Sequence, residues 1–295
     1  MEKREQLEGR IYGALAADAL SLGSHWVYNS RAIEKRLGRP DRLTDPIVNT
    51  FHPKRKAGEF THYGDQLLWL LNYVADKGGY EGSEFFKLWI EKMGDYDGYM
   101  DHASEETLKA GKASEMDDLA GAGRTAVLSL LFPDDSDGLA TAAADHASLT
   151  HNHPIVRDTA RFFSLLLFED DKPMKEALEA VLTRGSWESD AFEEAVRRGV
   201  DTADEETTPI IEKFGQMCSA ERALPSTMHL LVKYPEDYRE AMVANCAAGG
   251  DSAARGLLAG MVLGSRLGFS AIPKEWISGL AYLNQIEGAL KNLLD

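Results

Sequence analysis

Gly249-Gly250-Asp251-Ser252-Ala253-Ala254-Arg255 runs straight into a helical pattern in which Gly256, Gly260, Gly264 and Gly268 recur every fourth residue. That spacing lays a stripe without side chains along one helix face. An interior glycine costs a helix about 1 kcal/mol relative to alanine. The stripe therefore predicts a second backbone packed very close. Its expected partner is the first helix, Arg4 to Ser21, where Gly9, Gly13 and Ala17 repeat at the same spacing. The Gly-Gly-Asp turn is expected to present backbone N–H groups and one carboxylate above the helix mouth, or simply to cap it.

Helical punctuation dominates the rest of the chain. Pro154, Pro173, Pro225, Pro235 and Pro273 each precede a run of good helix formers, as prolines at first helical positions do. After Pro154, the residues Ile155, Thr159, Phe162, Phe163, Leu166 and Leu167 mark one buried helix face. Period-two alternation is nearly absent, and Ile47-Val48-Asn49-Thr50-Phe51 is the one modest strand candidate. About a dozen helices joined by short loops give an all-α fold. No linker or repeat divides the chain, so residues 1–295 are expected to form one domain.

The chain has 295 residues, 44% of them hydrophobic and 27% charged, the balance of a water-soluble globular protein. Its 48 acids against 32 bases leave a formal charge of −16, which repels nucleic acid and acidic membrane surfaces alike. No apolar run approaches the roughly 20 residues that span a bilayer. The charged N-terminus lacks the apolar core of a signal peptide. Cys218 and Cys246 form neither a disulfide framework nor a zinc spacing. These features predict a reduced, cytoplasmic protein.

Four further stretches carry chemistry. Asp18 stands where the first helix ends, an unfavourable place for an acid. In Gly58-Glu59-Phe60-Thr61-His62-Tyr63-Gly64-Asp65-Gln66, a base, a phenol and a carboxylate gather at one helix mouth, as acid–base work requires. Asp117-Asp118-Leu119-Ala120-Gly121-Ala122-Gly123-Arg124 offers small residues and a cation suited to a phosphate, with no strand before it to make a dinucleotide fold. Thr150-His151-Asn152-His153-Pro154 places two histidines before a proline-started helix. With no acid or cysteine at ligand spacing nearby, the reading there is a cap with one histidine facing a pocket.

Taken together these stretches resemble the ADP-ribosylglycohydrolase family, which includes dinitrogenase-reductase-activating glycohydrolases and jellyfish J1-crystallins. Gly13-Ala14-Leu15-Ala16-Ala17-Asp18-Ala19-Leu20 is similar to the family's opening helix, with Ala17 for its second glycine. Gly121-Ala122-Gly123-Arg124, Thr150-His151 with Pro154, Gly249-Gly250-Asp251 and Ile272-Pro273 with Trp276 match later motifs in the right order. The resemblance implies the fold and a pocket for an ADP-ribose-like ligand. Active members hold two magnesium ions between a Thr-Asp-Asp-Thr and a Gly-Gly-Asp-Thr-Asp-Thr segment. Here His62, Tyr63, Gly64 and Asp65 occupy the first segment, and Ala253 and Ala254 replace the second aspartate and threonine of the other. An alanine methyl cannot serve magnesium, which needs oxygen ligands.

From the residues and the resemblance together, Asp65, His62, Asp251 and Arg255 are the expected catalytic groups. Arg255, four residues after Asp251, would take over part of the metal's charge, with His62 across the pocket. Asp18, Thr61, Tyr63, Gly121, Ala122, Gly123, Arg124, His151, Gly250 and Ser252 are the expected ligand-binding residues. No metal ligand is assigned and no cofactor expected, magnesium entering only if Asp65 and Asp251 suffice for it. Two functions stand open: a glycosidic-bond hydrolase acting on an ADP-ribose-like or nucleoside-containing ligand or an ADP-ribosylated substrate, and a pseudoenzyme that binds ADP-ribose or a nucleotide. The crystallin relatives add a third, purely structural role.

Overall fold

A computed structural model describes residues 1–47 and 51–295. Among them are sixteen α-helices and no strand. They are α1 (Lys3–Ser21), α2 (Ser30–Leu37), α3 (His62–Lys77), α4 (Gly82–Gly94), α5 (His102–Ala110), α6 (Thr125–Leu128), α7 (Ser136–Ala147) and α8 (Pro154–Leu166). There follow α9 (Met174–Arg184), α10 (Phe192–Val200), α11 (Thr207–Phe214), α12 (Ala220–Lys233), α13 (Tyr238–Ala248), α14 (Ser252–Leu267), α15 (Lys274–Ser278) and α16 (Leu283–Leu294). The strand candidate at Ile47–Phe51 falls largely outside the described residues, since Val48, Asn49 and Thr50 are not among them.

The two glycine stripes meet. A methyl group on Gly9 would overlap the carbonyl oxygen of Gly264, one on Gly13 that of Gly260, and one on Gly260 that of Gly13. The helices therefore run antiparallel, backbone on backbone. Tyr238 of α13 donates its hydroxyl to the Gly13 carbonyl at 2.6 Å, tying a third helix to the seam. Gly268 does not extend the stripe: it caps α14 with φ +87°, a conformation that favours glycine. Around the seam one continuous apolar core takes in side chains from nearly every helix, with Trp89 and Trp276 fully buried.

The prolines behave less uniformly than the sequence pattern predicts. Pro154 opens α8, while Pro173 and Pro273 sit one position ahead of α9 and α15. Pro235 lies in the turn before α13, whose cap is Asp237. Pro225 is inside α12, five residues after its start. The carbonyl it leaves without a donor belongs to exposed Glu221, where solvent can serve it.

The seam makes a paired prediction. Gly13→Ala gains helix propensity but meets the Gly260 backbone, and should destabilise the protein by about 2–3 kcal/mol in urea unfolding. Gly288→Ala, in α16 with nothing within 4 Å of the new methyl, should instead stabilise it by about 0.5–1 kcal/mol.

Candidate functional site

The antiparallel seam brings the C-terminal end of α1 to the N-terminal mouth of α14. Gly249 and Gly250 turn there with φ +66° and +63°. Their N–H groups are not free for a ligand, as the sequence suggested. Gly250 donates to Val27 O at 2.9 Å and Asp251 to Gln216 O at 2.8 Å. The turn thus braces the loop after α1, and Trp26 N–H donates back to Gly250 O at 2.7 Å. Trp26 adopts φ 58°, left-handed for a bulky residue, and its ring stacks on His25 at 4.2 Å between centroids.

Asp251 is fully buried. Its Oδ1 caps α14, accepting the Ala254 N–H at 3.3 Å, and lies 3.0 Å from His25 Nε2. The far nitrogen of His25 is 2.8 Å from His52 Nε2. Burial pushes both imidazoles below their ordinary pKa, a shift that Asp251 opposes at His25. The ring of His62 stands 6.1 Å from those of His25 and His52, and 3.9 Å from Tyr63. His62 Nε2 is 3.1 Å from Asp101 Oδ2, an ion-pair separation lacking hydrogen-bond alignment. His25, His52 and Asp101 escaped the sequence reading because each lies alone in a segment with no motif around it.

Below this cluster is a pocket of ≈ 160 Å³ walled by Trp26, Tyr28, Phe51, Tyr63 and Tyr99, with Asp101, Asp118 and Cys218 also lining it. An adjoining cavity of ≈ 360 Å³ shares the Phe51 and Tyr99 walls and adds Lys54 and Arg55. Larger grooves of ≈ 560 and ≈ 610 Å³ lie elsewhere, lined mostly by surface side chains. The small pocket is the better candidate because Tyr63, whose buried Oη lacks a hydrogen-bond partner, lines it, and the unpartnered His62 and His151 nitrogens lie behind its lining residues Tyr63 and Asp101. Burial raises the Asp118 carboxyl to about 6, a shift the Cys218 thiol beside it partly opposes. Burial also lowers His151 to about 4.

Other expected site residues are placed differently. Arg255 does not pair with Asp251. Its Nε donates to Asn245 Oδ1 at 2.9 Å and its Nη2 to Gly249 O at 2.6 Å, because Asp251 is bent back as the helix cap. Asp65 turns away from Asp251 and accepts from Arg55 Nη2 and from Tyr96 Oη, each at 2.6 Å. Arg124 is buried among protein partners instead of awaiting a phosphate. It donates to Gln66 Oε1 at 2.7 Å, His146 Nε2 at 2.8 Å and Thr150 Oγ1 at 2.5 Å. Gly121, Ala122 and Gly123 are small for packing: a Cβ at Gly121 would lie 2.7 Å from His151 Cγ, and one at Gly123 3.1 Å from Leu257. Ser252 is buried with its hydroxyl unpartnered. His153 caps α8 and His151 turns inward, the division the sequence suggested.

Asp18 is not at the surface. Its carboxylate accepts the Thr61 N–H at 2.8 Å and the Thr61 hydroxyl at 2.6 Å, anchoring the start of α3. Burial pushes it up to about 7, against those two hydrogen bonds. Gly64 makes room for it, since a Cβ there would crowd Asp18 Oδ2 and lie 2.8 Å from Phe60 Cβ.

No helix among the described residues is long and apolar enough to cross a membrane. A family model described as ADP-ribosylglycohydrolase matches residues 1–295. Crystallin J1A of Tripedalia cystophora is 22% identical over 311 residues, covering 97% of this chain and 95% of that protein. Crystallin J1B of the same animal is 23% identical over 317 residues, covering 93% and 92%. A solved structure titled ADP-ribosylglycohydrolase-related protein complex superimposes with a TM-score of 0.77 at 19% identity, covering 99% of this chain and 98% of the other.

The Asp18–Gly64 contact is testable by a double-mutant cycle. Gly64→Ala should cost about 1–3 kcal/mol of stability in urea unfolding. In an Asp18→Ala background the same change should cost at least about 0.5 kcal/mol less.

Proposed function

Because the chain belongs to the ADP-ribosylglycohydrolase family, we propose that it hydrolyses a glycosidic bond in an ADP-ribose-like or nucleoside-containing ligand, in the aromatic pocket below Asp251. The observation that carries this reading is the group of buried, unpartnered polar atoms at and just behind that pocket's wall, where Tyr63 lines it and His62 and His151 stand behind Tyr63 and Asp101. Leaving such an atom unsatisfied costs about 1–3 kcal/mol, a penalty a polar ligand would relieve. The aromatic walls suit a base or sugar ring. Lys54 and Arg55 in the adjoining cavity suit a phosphate, although both already face acids.

The residues at the family's magnesium positions do not fit a pair of magnesium ions. Gly64 has no side chain and its Cβ direction is filled by Asp18, while Ala253 and Ala254 are buried methyls. Asp65 is held by Arg55 and Tyr96. Asp251 alone keeps a free carboxylate oxygen. In this reading Asp251 Oδ2 takes the proton of a water that attacks the anomeric carbon, and the departing group leaves with that proton. His25 holds the other oxygen and fixes the carboxylate. Tyr63 and His62 position the ligand. The capture of Asp65 favours the second reading, a protein that binds such a ligand without cleaving it.

Incubation with an ADP-ribosylated peptide, and separately with NAD, followed by chromatography should show ADP-ribose released. Asp251→Asn should lower that rate by about 100-fold or more while ADP-ribose still raises the melting temperature. Thermal stabilisation without product would establish the binding reading. Neither effect would overturn both.

A further inference from the structure

Among the described residues, the carboxylates of Asp101 and Asp118 and a ring nitrogen of His151 each place a ligand atom within 4.8 Å of the other two. We propose that these three side chains hold one divalent transition-metal ion, with zinc the occupant their donors fit best. The residues come from three distant parts of the chain, and all are buried. His151 Nε2 has no hydrogen-bond partner. Its other nitrogen, Nδ1, is 2.9 Å from Thr150 Oγ1. With Nδ1–H donating there, the Nε2 lone pair is free for a metal, the arrangement that orients metal-bound histidines.

The scaffold fixes all three. Asp101 caps α5, accepting the Ser104 N–H and the Ser104 hydroxyl at 2.8 Å each. Two isolated β-bridges occur among the described residues. One pairs Ser114 with His151 and the other pairs Asp118 with Ser219. Both therefore pin a member of the triad. Around the Asp118 bridge, Leu119 donates to Cys218 O at 2.8 Å and Ala220 to Asp117 O at 2.7 Å.

One imidazole and two carboxylates form a mixed nitrogen–oxygen set. Such a set suits zinc, cobalt or manganese, whereas magnesium prefers six oxygens. Metal–ligand bonds of about 2.0–2.2 Å would hold the three donor atoms closer together than the 4.8 Å that bounds them here. Asp101 and Asp118 line the pocket, so the remaining coordination positions face the ligand space. An ion there would lower the pKa of a bound water. It would supply a Lewis acid away from the family's magnesium segments. The site binds metal whether or not the chain turns over substrate.

Cobalt is the probe. The full chain, stripped with chelator and titrated with Co²⁺, should bind one equivalent with visible d–d absorption that zinc abolishes. Asp118→Asn and His151→Gln, each checked by circular dichroism for native helix content, should weaken binding by more than about 100-fold. Absence of a cobalt spectrum, or one undiminished in both variants, would overturn the proposal. Metal binding lost in both variants, with no ADP-ribose released by the loaded wild type, would uphold the site and overturn the hydrolase reading alone.

Discussion

The contact on which the rest depends is carbonyl against Cα, where α1 crosses α14. Four glycines, Gly9, Gly13, Gly260 and Gly264, let the two backbones touch. Their helix-propensity cost, about 1 kcal/mol each, is offset by close packing over the length of both helices. Antiparallel contact fixes which ends meet. The end of α1 delivers Asp18 to Thr61 and so sets the start of α3, while the loop after α1 carries His25 to Asp251. One packing decision thereby places the histidine cluster, the helix mouth and the aromatic wall.

A second framework is polar and equally buried. Arg124 joins Gln66 of α3, His146 of α7 and Thr150 beside His151. Gln66 also accepts the Trp89 indole N–H at 2.8 Å, and Tyr80 Oη lies 2.6 Å from His146 Nδ1. Burial lowers the Arg124 guanidinium to about 10, which still leaves it charged at neutral pH. A charge this deep is tolerable only with its donors used, and removing one partner typically costs several kcal/mol. The arginine thus braces Thr150, whose neighbour His151 stands beside Asp101 and Asp118 of the pocket wall.

How legible was this in the sequence? The fold was, because glycine spacing and apolar periodicity are local signals that survive into packing. The pairing of Gly13 with Gly260 could be expected from the matched stripes alone. Some of the placement was legible too: His62 and Tyr63 lie near the His25 that meets Asp251, and His151 is buried where His153 is not. What stayed hidden depends on side-chain direction or on distant convergence. Arg255 has the right spacing to meet Asp251, yet a capping aspartate bends toward its own helix start and away from the next turn. Asp65 sits one turn from His62, yet is claimed by Arg55 from a loop with no periodic pattern. Asp101, Asp118 and His151 converge only through the tertiary fold, so no sequence interval announces them.

The seam also limits how this molecule can move. Hinge and shear motions need interfaces whose side chains can slide or change rotamer. Where carbonyl oxygens rest on glycine Cα atoms there are no rotamers to change, so α1 and α14 translate together or not at all. Any opening of the pocket must then come from the elements hung on that spine. These are the Trp26 loop, held to it by the Gly250 hydrogen bonds, and the segment carrying Tyr99. Breathing of the pocket becomes a matter of a few aromatic rings turning on nanosecond-to-microsecond timescales, with the backbone beneath them acting as a fixed anvil.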